Sequence, residues 1–279
     1  MSSFYTNIQL AGDTILYRGY ENGEAVQYRT SFSPTLYVLS KKKEKFKTLD
    51  GRYVSPVKFR NAREAREFIK QYEHVENFEV HGYERFVYQY IRQEFPSDVD
   101  YNINQMKIFA LDIEVQCENG FPNVEEAAEE MLSITIKDMV TKKFVSWVTR
   151  EFDPPENVEM RVFWTEQEML QDFLKWWAEN TPDILTGWNV NLYDMPYIAR
   201  RINRILGEKW MKGLSPWNRA NEREVYVQGR KNYAYDISGV NILDYLDLYR
   251  KFTYSNQESY RLHHIAFVEL GQRKVDHSE

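Results

Sequence analysis

Over the first hundred residues apolar and polar positions alternate with the two-residue period of a half-buried strand: Tyr5, Ile8 and Leu10, then Thr14-Ile15-Leu16-Tyr17-Arg18, then Thr35-Leu36-Tyr37-Val38-Leu39. Gly12-Asp13 and Asn22-Gly23 punctuate these runs as turns, so a small antiparallel sheet is expected. Asn61-Ala62-Arg63-Glu64 has the form of a capping box, and Ala65, Phe68, Ile69 and Tyr72 follow at helical spacing, predicting a helix that covers the sheet. The run Lys41-Lys42-Lys43-Glu44-Lys45-Phe46-Lys47 reads as a solvated hairpin or a lysine-guarded sheet edge, with contact to nucleic acid as the other reading. Phe95-Pro96-Ser97-Asp98-Val99-Asp100 has the composition of a linker, which divides the chain into residues 1–105 and 106–279.

Beyond that boundary the pattern changes. Ile108 to Val115 is an almost continuous apolar run, read as a fully buried strand, and Leu132 to Ile136 and Phe144 to Val148 read as its neighbours. Between them lies an acidic loop with Glu118, Glu125, Glu126, Glu129 and Glu130. Thr165-Glu166-Gln167-Glu168 is a second capping box, and Met169, Leu170, Phe173, Leu174 and Trp177 form one apolar helix face. After a short strand, Ile184-Leu185-Thr186-Gly187, another helix turns Tyr197, Ile198, Ile202, Ile205 and Leu206 inward and Arg200, Arg201 and Arg204 outward, ending at Gly207. Glu224 to Val227 and Tyr233 to Ile237 read as a hairpin. Strands first and strand–helix alternation later imply an α/β (α+β) protein, a mixed sheet flanked by helices, preceded by the small antiparallel-sheet domain.

Composition narrows the class. The 279 residues are 43% hydrophobic and 15% aromatic, enough for a substantial core, and the single cysteine, Cys117, excludes an internal disulfide framework. The opening Met1-Ser2-Ser3-Phe4-Tyr5-Thr6-Asn7 lacks a secretory pattern and no apolar run is long enough to span a bilayer, so a cytoplasmic protein without membrane partners is expected. Residues 1–107 hold 16 Lys and Arg against 14 Asp and Glu, whereas residues 108–279 hold 20 against 28. A second half so acidic does not bind DNA through a general basic surface; metals or another protein must offset the repulsion.

The candidate chemistry sits where acids interrupt apolar pattern. Asp112 and Glu114 lie two residues apart in a strand, on one face, with Cα atoms roughly 6.6 Å apart. Such a pair suits divalent cations; the bland alternative is a sheet-end pair held by Arg or Lys. Asp194 stands at the start of the second helix, where an N-cap and a metal ligand are equally natural, and Pro196 fits the first turn. A cap alone leaves Trp188, Asn189 and Tyr193 unexplained.

These residues carry a resemblance. Phe109 to Val115 resembles the first exonuclease motif, Asp-x-Glu, of family B DNA polymerases, and Asn189 to Asp194 matches their second, Asn-x-x-x-(Phe/Tyr)-Asp. Leu185 to Val190, Leu243 to Phe252, Asn256-Gln257 and Ser259-Tyr260 are similar to the replicative polymerases of T-even-like bacteriophages within that family. The resemblance implies a ribonuclease-H-like exonuclease domain after the family's N-terminal domain, and 3′→5′ removal of mispaired nucleotides from single-stranded or primer-template DNA in an infected bacterial cell. It also implies two Mg²⁺ or Mn²⁺ ions, with Asp112 bridging both, Glu114 on the water-activating ion and Asp194 on the second, while Phe121, Asn189 and Tyr193 contact the frayed end. In that family a hairpin of this domain helps move the primer end, and a plain structural hairpin is the equal alternative for Glu224 to Ile237.

The family's third motif, Tyr-x-x-x-Asp, does not occur in residues 1–279, nor do the polymerase motifs. The expectation is therefore three of four carboxylates, little activity for these residues alone, and dependence on the remainder of a polymerase, in the same chain or a separate one. The alternative from another class is a nucleic-acid or partner-binding module with a vestigial nuclease fold. His263-His264, read as strand neighbours pointing to opposite sides, fits surface or packing roles better than metal binding.

Overall fold

The computed structural model describes residues 3–117, 120, 122–227 and 229–273, and the chain divides into two compact units, Met1–Gln105 and Met106–Glu279. In the first unit, strands β1 (Phe4–Ala11), β2 (Thr14–Glu21) and β3 (Glu24–Ser31) form an antiparallel sheet in chain order. Its turns fall at the expected places, Gly12 at φ 66° and Asn22-Gly23 at 54° and 90°, which glycine and asparagine tolerate best. The remaining strands build a second sheet instead of extending the first: β4 (Thr35–Leu39), β5 (Phe46–Lys47), β6 (Tyr53–Lys58) and β7 (Val80–His81) in the order β5-β6-β4-β7. Helix α1 (Ala62–Tyr72) starts at Asn61, whose side chain accepts a hydrogen bond from the Glu64 amide, and buries Ala62 and Ala65 with Ile15, Tyr17, Leu36 and Phe59. Helix α2 (Phe86–Glu94), not anticipated from the pattern, contributes Phe86 and Tyr90 to the same core. Lys41, Lys42 and Lys43 are exposed beside the two-residue edge strand β5.

The second unit is built on a six-stranded mixed sheet. Its strands are β8 (Ile108–Val115), β9 (Met131–Asp138), β10 (Phe144–Val148), β11 (Val158–Val162), β12 (Ile184–Thr186) and, after a separate hairpin of β13 (Ala220–Val227) and β14 (Arg230–Ile237), β15 (Asn241–Ile242). The order is β11-β10-β9-β8-β12-β15; β8, β9 and β10 meander antiparallel, and β12 and β15 add in parallel. Helices α3 (Glu166–Asn180) and α4 (Asp194–Leu206) follow, then α5 (Glu208–Lys212), α6 (Tyr245–Phe252) and α7 (Leu262–Leu270). Phe109, Leu111 and Ile113 of β8 share one core with Phe173 and Trp177 of α3 and Tyr197, Ile198 and Ile202 of α4.

Two local signals decide this packing. The capping box of α3 is formed in both directions: Thr165 Oγ1 accepts from the Glu168 amide at 3.3 Å and Glu168 Oε2 from the Thr165 amide at 3.2 Å. Thr165→Ala is accordingly expected to cost about 1 kcal/mol in urea unfolding; an unchanged midpoint would mean the box contributes nothing. At the other helix, Gly207 ends α4 at φ 92°. His263 and His264 lie on α7, not in a strand, so they sit about 100° apart around a helix. No helix among the described residues is long and apolar enough to cross a membrane.

Candidate functional site

Strand β8 alternates strictly from Phe109 to Glu114: Phe109, Leu111 and Ile113 are buried under the helices, while Asp112 and Glu114 are exposed on the opposite face. The shared face follows from strand geometry, but the expected full burial is wrong. The helices cover one side of the strand, and across the other Asp112 lies opposite Thr135 and Glu114 opposite Ser133. Thr135 is itself hydrogen bonded to Ser146 at 2.8 Å, so this face of the sheet is polar over three strands.

The buried acid is Asp194, 4% exposed in the first turn of α4. It is not the N-cap: that position is Tyr193, with no side-chain cap bond, and Asp194 is already helical. Its carboxylate turns instead toward the strand. β12 stops at Thr186, opposite Ala110, and beyond that end the Ile113 backbone amide favours the charged form of the carboxyl. Burial raises the Asp194 carboxyl from its usual range to about 7, the charge of Asp112 adds to the rise, and the amide hydrogen bonds oppose it.

A raised carboxyl is also a statement about stability. The folded state holds the Asp194 proton more tightly than the unfolded chain, so without metal this group's contribution is fullest at low pH and is lost as pH rises from about 4 to about 7. Asp194→Asn keeps an acceptor for Ile113 and removes the buried charge; in EDTA at pH 8 it should raise unfolding free energy by up to about 4 kcal/mol, the gain shrinking toward pH 4. Parallel pH profiles for the two proteins in urea unfolding would refute the assignment.

The loop that delivers Asp194 is fixed by a residue the sequence reading passed over. Asp244, 6% exposed, caps α6 through the Leu246 amide at 2.9 Å and also accepts from the amides of Asn189 at 3.0 Å and Asn191 at 2.9 Å. Its only sequence signal is an Asp preceding an apolar helical run. Trp188 proves structural: its indole N–H donates to the Tyr260 carbonyl at 3.1 Å and its ring lies against Tyr245 and Tyr249. Asn189, at φ 67°, and Tyr193 line a cavity of about 480 Å³ with Leu192, Lys231, Asn232 and Tyr233. Phe121 lies outside the described residues.

The arginines of α4 do not simply face water. Arg201, 11% exposed at its side chain, pairs with buried Glu166 at 2.7 Å and donates to the Ala127 and Ala128 carbonyls. Arg200 pairs with Glu222 of β13 at 2.7 Å, donates to the Glu125 carbonyl and covers the Tyr233 ring at 4.1 Å. Arg204, though exposed, donates to the Glu126 carbonyl at 3.2 Å. One helix thus anchors both the acidic loop and the hairpin beside the cavity.

All the donors at Asp112, Glu114 and Asp194 are carboxylate oxygens, which suit Mg²⁺ or Mn²⁺ better than thiolate-seeking metals. Among the described residues no three His, Cys, Asp or Glu are gathered closely enough to enclose an ion by themselves. The oxygen donors of these three acids therefore fit hard divalent cations in chemical type.

A family model described as DNA polymerase family B, exonuclease domain, matches residues 69–265. The chain is 30% identical over 302 residues to a DNA-directed DNA polymerase of Enterobacteria phage T4 and 28% identical over 304 residues to that of Escherichia phage RB69, covering 99% of this chain in both alignments. It spans about a third of the length of these curated relatives, 33% and 34%. A DNA polymerase of Thermococcus gorgonarius is 28% identical over 171 residues, 61% of this chain and 20% of the relative.

Proposed function

Because the chain belongs to the exonuclease-domain family of the family B DNA polymerases, we propose that it serves 3′→5′ removal of nucleotides from single-stranded DNA ends as part of a phage-type replicative polymerase. On this reading residues 106–279 form most of a ribonuclease-H-like exonuclease domain and residues 1–105 the N-terminal domain that precedes it. The mixed sheet with α3 and α4 packed against one face supports the first assignment. The partners are the DNA and the remainder of the polymerase, and the setting is the cytoplasm of an infected bacterium.

The observation that carries the proposal is the buried Asp194 carboxyl, pushed up to about 7 beside the charge of Asp112. A carboxyl raised by burial, with a second acid adding to the rise, marks a place where a cation can replace a proton. Asp112, Glu114 and Asp194 would hold two divalent ions, which when bound activate water and stabilise the leaving 3′ oxygen. The chain's own contribution is position: β8 sets two acids on one open face, and the 187–193 loop brings the third to the end of β12. Tyr193 and Asn189, with Phe121, would receive the frayed end, an aromatic–base stack being worth roughly 1–3 kcal/mol for any base.

Titration calorimetry with Mn²⁺ tests the proposal directly. Saturable binding in the micromolar to millimolar range is expected, and no heat at millimolar metal would favour the binding-module alternative. With no Tyr-x-x-x-Asp in residues 1–279, shortening of a 3′-labelled strand by this polypeptide alone should be slower by roughly a hundredfold or more than with the fourth acid supplied. Full activity of the polypeptide alone would show that another acid substitutes.

A further inference from the structure

Asp194 has no cap of its own to hold it, and its position depends on the loop before α4. Besides the bond from Trp188 to the Tyr260 carbonyl, one side chain ties down the middle of that loop. Asp244 Oδ1 receives the Asn189 and Leu246 amides and Oδ2 the Asn191 amide, so both ends of Asn189-Val190-Asn191 are pinned from 55 and 53 residues away. Val190 between them is fully buried, and its carbonyl accepts from the Met195 amide, while the Asn189 carbonyl accepts from that of Tyr193. The pinned turn thus runs by hydrogen bonds directly into the first turn of α4. At its other end Gly187 presses so closely on β8 that a Cβ there would lie 2.7 Å from the Leu111 carbonyl oxygen.

From this chain of contacts we propose that Asp244 is a positioning residue: through the 187–193 loop it holds Asp194 against β8, within reach of Asp112. The role is one of position, through the Asn189 and Asn191 amides, and rests on the exonuclease reading only for its consequence, the placing of a metal-binding acid. Three amides converge on one carboxylate, which only accepts. Asparagine would face the Asn191 amide with a second donor or rotate and lose the other two; serine can still cap α6 but is too short to span to Asn189 and Asn191.

The Ile113 amide supplies a reporter that needs no metal, because it lies near the Asp194 carboxyl and favours its charged form. Amide hydrogen exchange is measured residue by residue on the full chain, with Asp194→Ala as the reference that releases Ile113. In Asp244→Ser, exchange at Asn189, Asn191 and Ile113 should rise at least about tenfold while Leu246 stays protected; in Asp244→Asn the same rise is expected at Ile113 and at whichever of Asn189 and Asn191 loses its acceptor. A role confined to capping α6 would leave Ile113 unmoved in Asp244→Ser, and that result overturns the proposal. Mn²⁺ affinity in the same variants should fall at least about tenfold; wild-type affinity in both would equally overturn it. Failure of the unaltered chain to bind Mn²⁺ would sink the exonuclease reading instead, leaving the Ile113 measurement to decide Asp244.

Discussion

Asp112→Ala is expected to abolish Mn²⁺ binding, weakening it by on the order of a hundredfold or more, while leaving the fold intact. The two halves of that expectation come from different observations. Asp112 is exposed on the face of β8 opposite Leu111 and Ile113, so deleting its carboxylate opens no cavity in the core. Surface changes of this kind usually stay within about 0.5 kcal/mol. Asp112 is also the charge that helps raise Asp194, so the variant should let the Asp194 carboxyl ionise more readily. Calorimetry and urea unfolding on one preparation check both halves. Retained Mn²⁺ binding would remove Asp112 from the site; a large loss of stability would show that its role is structural.

The largest loss of stability should come from a residue the sequence reading placed in solvent. Arg201 meets Glu166 through two hydrogen bonds of 2.7 Å, and Glu166, 7% exposed, otherwise accepts from the Met131 amide at 3.0 Å. Arg201→Ala strands a buried carboxylate and frees the carbonyls of Ala127 and Ala128; breaking a buried pair from one side typically costs about 3–5 kcal/mol. For a unit of this size that is a fall in melting temperature on the order of 10 °C. Replacing both partners, Glu166→Gln with Arg201→Met, should recover part of it, because the cost lies in the charge left alone more than in the pair lost. A melting temperature within a degree of wild type for Arg201→Ala would contradict the buried geometry.

What was legible in the sequence, and what was not, divides along physical lines. β8, β10, α3 and α4 are legible because local pattern and local caps agree: Thr165 and Glu168 mark one helix start, Gly207 one helix end, and the apolar face of α3 is buried as the spacing requires. β11 escapes because Val158-Glu159-Met160-Arg161-Val162 is an edge strand whose charged members pair with each other and with Asp172. The shared face of Asp112 and Glu114 is dictated by the strand period, but whether that face is covered is decided by helices far along the chain. Asp244 is hidden for the same reason, since two of its three partners lie more than fifty residues away. Arg200 and Arg201 keep the polar positions of an amphipathic helix, yet carbonyls and acids of the 124–128 loop and β13 come to meet them.

The carboxyl of Asp194 lies past the end of β12, where the Ile113 amide of β8 favours its charged form. On the proposed function, an acid that would hold a cation is therefore also packed against the backbone of the sheet, and alanine is a poor inactivating control at this place. Asp194→Ala would remove the proposed ligand and alter the surroundings of the Ile113 amide in one stroke, confounding any assay that compares the two proteins. Asp112→Ala is the cleaner blank, and a paired Asp112→Ala and Asp194→Asn design separates loss of charge from loss of architecture.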